Sequence, residues 1–206
     1  MNNIILTSSF VDVANHLKSN RILVMGDIKK IAFIATASEV EPVDFYVDEA
    51  RTWFRDQGCE LIEIHLRDMN LDEITENLEM SDLIYVSGGN TFYLLQELKN
   101  SKVDRLLVDQ IHRGKRYIGE SAGSIILAPS IDYVTLMDDV NQALELKNYD
   151  ALNILDFYPV PHKDNDPFVE AVDEIRLNYE TERDVKAFSN NEVIIVNDGH
   201  FEKVSY

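Results

Sequence analysis

A single cysteine, Cys59, in 206 residues excludes an internal disulfide, and no cysteine cluster is available to hold a structural zinc. Basic residues are also scarce: 19 Lys and Arg stand against 37 Asp and Glu, for a formal charge of −18 and a pI near 4.5. Phosphate binding needs clustered Lys and Arg, so the balance argues against nucleic acid as a partner. It disfavours anionic membrane surfaces for the same reason. A solvated acidic surface is the plain account of the charge. No apolar run approaches the roughly 20 residues that cross a bilayer. The stretch from Met1 to Thr7 lacks the basic start and long apolar core of a secretory signal, which leaves the cytoplasm as the expected location. Low-complexity segments, repeats and linkers are absent too. One domain over residues 1–206 is the expected organisation.

What is present is an alternation of short β-rich runs with longer segments of helical period. Strands are expected at residues 30–37, 59–66, 82–86 and 116–119, and later at 154–160, 185–188 and 192–196. Helices are expected at 43–57, 71–80, 90–98, 103–111 and 168–179. The run Val196-Asn197-Asp198-Gly199-His200 reads as a hairpin turn, with Asp-Gly supplying positive φ angles. Such alternation gives an α/β fold: a mostly parallel sheet with helices on both faces. In these sheets, sites collect beyond the carboxyl ends of the strands.

Two glycine-bearing segments occupy that position. Gly119-Glu120-Ser121-Ala122-Gly123 matches the G-x-S-x-G nucleophile elbow, following a β-run and preceding the apolar helical stretch 124–128. A serine at a sharp strand-to-helix turn exposes its hydroxyl at the top of the sheet, and its flanking residues must be small for the chain to fold so tightly. The second segment, Ser87-Gly88-Gly89-Asn90-Thr91, also joins a strand to a helix. An amide of Gly88 or Gly89, together with that of Ala122, would form an oxyanion hole. The segment fits neither G-x-G-x-x-G nor the P-loop pattern, which sets aside a dinucleotide or phosphate loop.

The segments Ile84-Tyr85-Val86-Ser87-Gly88-Gly89-Asn90-Thr91-Phe92-Tyr93-Leu94-Leu95 and Tyr117-Ile118-Gly119-Glu120-Ser121-Ala122-Gly123-Ser124 resemble the two signature segments of the peptidase E (aspartyl dipeptidase) family. Cyanophycinases belong to the same broader group. The resemblance implies a fold like that of class I glutamine amidotransferases, with serine in place of their elbow cysteine, and neither metal nor cofactor.

An elbow serine needs a base, and five histidines are available. His16 and His112 lie in amphipathic helical stretches, His200 beside the hairpin turn, and His65 at a strand end. His162, in Pro159-Val160-Pro161-His162-Lys163-Asp164, follows an apolar run at a strand's carboxyl end, with prolines stiffening its approach. The resemblance implies a catalytic histidine in a comparable position. It also implies an aspartate between serine and histidine, for which Asp132, Asp138 and Asp139 are available. Asp138 is preferred and Asp139 is next.

For substrate, the family implies a cation after the histidine, and Arg176 matches it; a surface arginine paired with Asp173 or Glu180 is the alternative. Asn90 borders the glycine segment as a further substrate contact. Glu120 departs from the aromatic residue that aspartyl dipeptidases carry before the serine. It would repel an acidic substrate or bind a free amino group. The expected activity is Ser-His-Asp hydrolysis of small peptides through an acyl-enzyme. Alternatives are an isopeptide or ester hydrolase on the same scaffold, and a non-catalytic protein that binds a small ligand at the same place. A homodimer stays open.

Overall fold

Four residues near the start of the chain, which the periodicity left unassigned, lie inside the sheet. In the computed structural model, which describes residues 4–197 and 199–206, β1 (Ile4–Thr7) is buried throughout. It pairs in parallel with β5 (Arg116–Glu120) on one side and antiparallel with β8 (Glu192–Asn197) on the other. Beyond β5 come β4 (Leu83–Val86), β2 (Lys30–Ile34) and β3 (Glu60–Glu63), all parallel. Beyond β8 lies antiparallel β9 (His200–Ser205). The seven-stranded order is β3-β2-β4-β5-β1-β8-β9. The α/β expectation of a mostly parallel sheet is met.

Helices cover both faces. On one side α1 (Phe10–Ser19) and α2 (Phe45–Asp56) bury Phe10, Leu17 and Phe54 against Ile31, Phe33, Tyr85 and Ile118. On the other lie α3 (Leu71–Met80), α4 (Thr91–Ser101), α5 (Val103–His112), α6 (Ala122–Ile125) and α7 (Val169–Tyr179). Their core includes Ile84, Val86, Tyr117, Phe92 and Ile175. The two-residue alternation of the strands divides these cores: Tyr117 faces the second and Ile118 the first.

Several expected strands are shorter in the fold. β2 stops at Ile34, because Thr36–Val40 turns into a 3₁₀ segment that carries the chain over the sheet's carboxyl edge. The run 154–160 contributes only β6 (Tyr158–Val160), which pairs in parallel with β7 (Val185–Ala187) as a separate two-stranded ribbon. Residues 124–128 do not prolong a helix, since α6 is a single turn. In the hairpin, Asn197 pairs with His200 and Gly199 has φ +78°, while Asp198 lies outside the described residues. Among the described residues no helix is long and apolar enough to cross a membrane.

Candidate active site

The carboxyl ends of β1, β4, β5, β6 and β7 deliver Ser8, Gly88, Ser121, His162 and Asn190 to one cleft of about 660 Å³. That is a normal size for a small-molecule site. Ser121 sits at the β5–α6 junction with φ +47° and ψ −108°, a conformation costly for a residue with a Cβ. Close packing holds it there. A Cβ on Gly119 would stand 2.3 Å from the Gly123 carbonyl oxygen, and one on Gly123 would stand 2.1 Å from that of Val86. The elbow therefore forms only with glycine at both places. Its backbone is tied down by Ser121 N donating to Thr7 O (2.9 Å) and by Ser124 Oγ donating to Gly119 O (2.8 Å).

Ser121 Oγ lies 2.8 Å from His162 Nε2, so the structure brings the expected serine and histidine together. His162 adopts a left-handed backbone (φ +63°), and its ring stacks on Phe168 with centroids 4.6 Å apart. Asp138, expected to orient the imidazole, makes no hydrogen bond to it. Its carboxylate instead accepts from Thr91 N (2.9 Å) at the start of α4, where a helix favours negative charge. Asp139 likewise turns away and accepts from Asn141 N (2.9 Å).

The groups on His162 Nδ1 are Ser8 Oγ and Asn190 Oδ1, each at 3.1 Å. Ser8 Oγ donates to Asn190 Oδ1 (2.8 Å) and accepts from His162 N (2.6 Å), so its one proton is committed. Asn190 Oδ1 is then an acceptor. The proton sits on Nδ1, and the Nε2 lone pair faces the serine hydroxyl. Asn190 is the residue that sequence reasoning missed. It follows β7 as His162 follows β6, and Val160 pairs with Ala187 in the register of that ribbon. In the chain it is merely one of two adjacent asparagines before a strand.

Burial lowers the His162 pKa to about 4, against a smaller upward pull from the Asn190 hydrogen bond. The imidazole is then neutral, and able to accept a proton, down to that pH. For an uncharged substrate, kcat/KM is expected to fall only as pH drops through about 4, and to stay level from 5 to 8. A limb near 6.5 that remains in Glu120→Gln, whose carboxyl otherwise titrates at about 7, would mean an imidazole open to water. Asn190→Ala is expected to lower kcat/KM by about 10–100-fold. Asn190→Asp keeps the acceptor and adds a charge that favours imidazolium, so the acid limb moves to higher pH. A pH–rate profile of each variant checks both outcomes.

Three other expectations are corrected by where the side chains go. Glu120 does not present its carboxylate to the cleft: it is buried, with Oε1 accepting from Phe10 N (2.7 Å) and Oε2 from Tyr85 Oη (2.5 Å). Strand alternation sends it to the same face as Ile118, and burial raises its pKa to about 7 despite these donors. Asn90 is used at both ends, accepting from Tyr93 N (2.9 Å) as the cap of α4 and donating to Asp139 O (3.0 Å). Arg176 pairs along α7 with Asp173 (3.7 Å) and Glu180 (3.5 Å) and does not line the cleft. Of the expected oxyanion donors, Gly88 packs against Ser121, since a Cβ on it would stand 3.2 Å from Ser121 Cβ. Its amide also helps to hold Glu120. The amides of Gly89 and Ala122 have no acceptor among the described residues.

A serine hydroxyl on a strained turn, a neutral imidazole at its oxygen and spare amides beside it can carry out acyl transfer. No group of side chains able to hold a metal ion occurs among the described residues. The model of peptidase family S51 matches residues 4–204. An uncharacterized peptidase of Pasteurella multocida is 47% identical over 199 residues, covering 96% of this chain and 94% of that protein. The crystal structure of a candidate peptidase E protein from Listeria monocytogenes superposes with a TM-score of 0.92 at 41% identity, covering 100% of this chain and 99% of that one. Peptidase E of a Nostoc species is 32% identical over 138 residues, which is 67% of this chain and 54% of that protein.

Proposed function

The chain belongs to peptidase family S51 and is a serine peptidase, and from that premise we propose that it hydrolyses small peptides through an acyl-enzyme on Ser121. The observation that carries this reading is the 2.8 Å approach of Ser121 Oγ to His162 Nε2 at a positive-φ elbow.

Ser121 Oγ attacks the peptide carbonyl while its proton passes to His162 Nε2. The imidazolium so formed donates through Nδ1 to Asn190 and Ser8, so the third member of the triad is an amide and not Asp138. The carbonyl oxygen, now an oxyanion, takes hydrogen bonds from the amides of Ala122 and Gly89, the Gly88 amide being engaged by Glu120. Collapse expels the amine, which takes the proton from Nε2. Water, deprotonated by the same nitrogen, then cleaves the ester and returns Ser121. A neutral asparagine stabilises the imidazolium less than a carboxylate would, and the short, buried ring contacts supply the orientation instead.

The test is a mass-spectrometric screen of a dipeptide library with wild-type protein and Ser121→Ala. Dipeptides consumed by wild type and spared by the variant support the proposal. Equal consumption by both would place the nucleophile elsewhere, and consumption by neither would favour a ligand-binding role for the cleft.

A further inference from the structure

The cleft has one sign of charge. Six carboxyl side chains border it besides the internally bonded Glu120: Asp12, Glu41, Glu49, Asp138, Asp139 and Asp166. No Lys or Arg lines it, and no ion pair among the described residues involves any of the six. The chain as a whole has about one basic residue for every two acidic ones, 19 against 37, so average composition would have placed about three cations there. Depletion is therefore local to the cleft, where low-dielectric walls concentrate the field.

Two of the six are pushed together by the fold. The segments around Val40 and Asp139 both pack on the start of α4, because Asn90 N donates to Ala37 O (2.8 Å) and Asn90 Nδ2 to Asp139 O (3.0 Å). Glu41 and Asp138 come close enough to repel, and Tyr46 lies within reach of both charges while its ring packs over Gly88 beside Ser121. The Asp138 carboxylate has one hydrogen-bond donor, Thr91. Glu41 has no ion-pair partner among the described residues. A cation between them would relieve the repulsion. An aspartyl side chain in the same place would add another negative charge with no cation to meet it.

We propose that the cleft selects peptides of net positive charge, seating a lysyl or arginyl side chain between Glu41 and Asp138 and rejecting acidic side chains. The proposal rests on the peptidase reading for its substrate class and names a preference that reading leaves open. Every dipeptide carries a terminal ammonium, so the comparison of Lys-Ala, Ala-Ala and Asp-Ala isolates the side chain.

The experiment separates binding from turnover. Calorimetric titration of the Ser121→Ala protein with the three dipeptides reads affinity alone, and kcat/KM of wild type on the same three reads catalysis. Lys-Ala is expected to bind at least about tenfold more tightly than Asp-Ala at low salt, and the ratio should shrink at 0.5 M NaCl. Glu41→Gln in the Ser121→Ala background should reduce the Lys-to-Asp ratio by at least about threefold while Ala-Ala affinity holds. Asp138→Asn is the companion variant, but Asp138 also caps α4, so the Glu41 result stands by itself if that protein folds poorly. Equal or tighter binding of Asp-Ala overturns the proposal, as does a preference that Glu41→Gln leaves untouched, or failure of all three to bind at millimolar concentration. Ser121-dependent cleavage with an acidic preference would sink the charge assignment and leave the peptidase function standing. Tight Lys-Ala binding without cleavage would do the reverse.

Discussion

Ser121→Ala is expected to lower kcat/KM by about 10⁴–10⁶-fold, with the fold intact. Alanine removes the hydroxyl proposed as nucleophile and nothing that holds the turn, since the backbone bonds of residue 121 run to Thr7, Ser124 and Ile125 through main-chain atoms. His162→Ala should cost a similar factor, because a serine hydroxyl without a base at Nε2 is a poor nucleophile near neutral pH. The two losses should not add. Once either member is gone the other has no partner, so the double variant is expected to match the single ones within about tenfold. Steady-state kinetics on any dipeptide that wild type consumes, with the three variants side by side, decides it. A double variant weaker by the product of the two single losses would mean that serine and histidine act in separate steps.

The second large effect is on stability. Gly123→Ala would drive a methyl group to 2.1 Å from the Val86 carbonyl oxygen, and 3.1 Å from its Cβ. Both belong to β4, a buried strand paired on each side, so the neighbour cannot move away cheaply. Overpacking against a fixed backbone costs about 3 kcal/mol or more. For a chain of this length that corresponds to a fall in Tm of roughly 6–12 °C. Gly26→Ala is the control, since no atom lies within 4 Å of the Cβ it would add. Thermal melts followed by circular dichroism on the two variants suffice. Equal melting temperatures would show that the elbow relaxes around a side chain, and the steric account of the motif would then be wrong.

The residues that could be read from the chain share a physical property: their requirement is local. Gly119, Ser121 and Gly123 constrain one another across a single turn, so their spacing carries the sterics of the elbow. His162 was legible because it ends an apolar run at a strand's carboxyl end, even though only three residues of that run form a strand. Helix α3 falls on residues 71–80 as its periodicity indicates, with Asn70 accepting from Glu73 N as its cap. Glu120 could have been placed correctly from strand parity. It stands two residues after Ile118 in β5, so the two-residue repeat puts it on Ile118's side, facing Phe10 and Tyr85.

The sequence by itself determined the α/β class, the two glycine-bearing turns and the serine–histidine pair, because each follows from short-range sterics and hydrophobic period. Tertiary structure alone decided what holds the imidazole and which charge lines the cleft. Asn190 reaches His162 through the pairing of two three-residue strands that lie 25 residues and more apart, and chain spacing does not encode that register. Asp138 stands between serine and histidine in the chain, yet the start of α4 takes its carboxylate. Arg176 follows the histidine as expected and is spent along its own helix. Six acidic residues scattered from Asp12 to Asp166 become one electrostatic surface only when the carboxyl ends of the strands bring together the loops and the two helices, α1 and α2, that carry them.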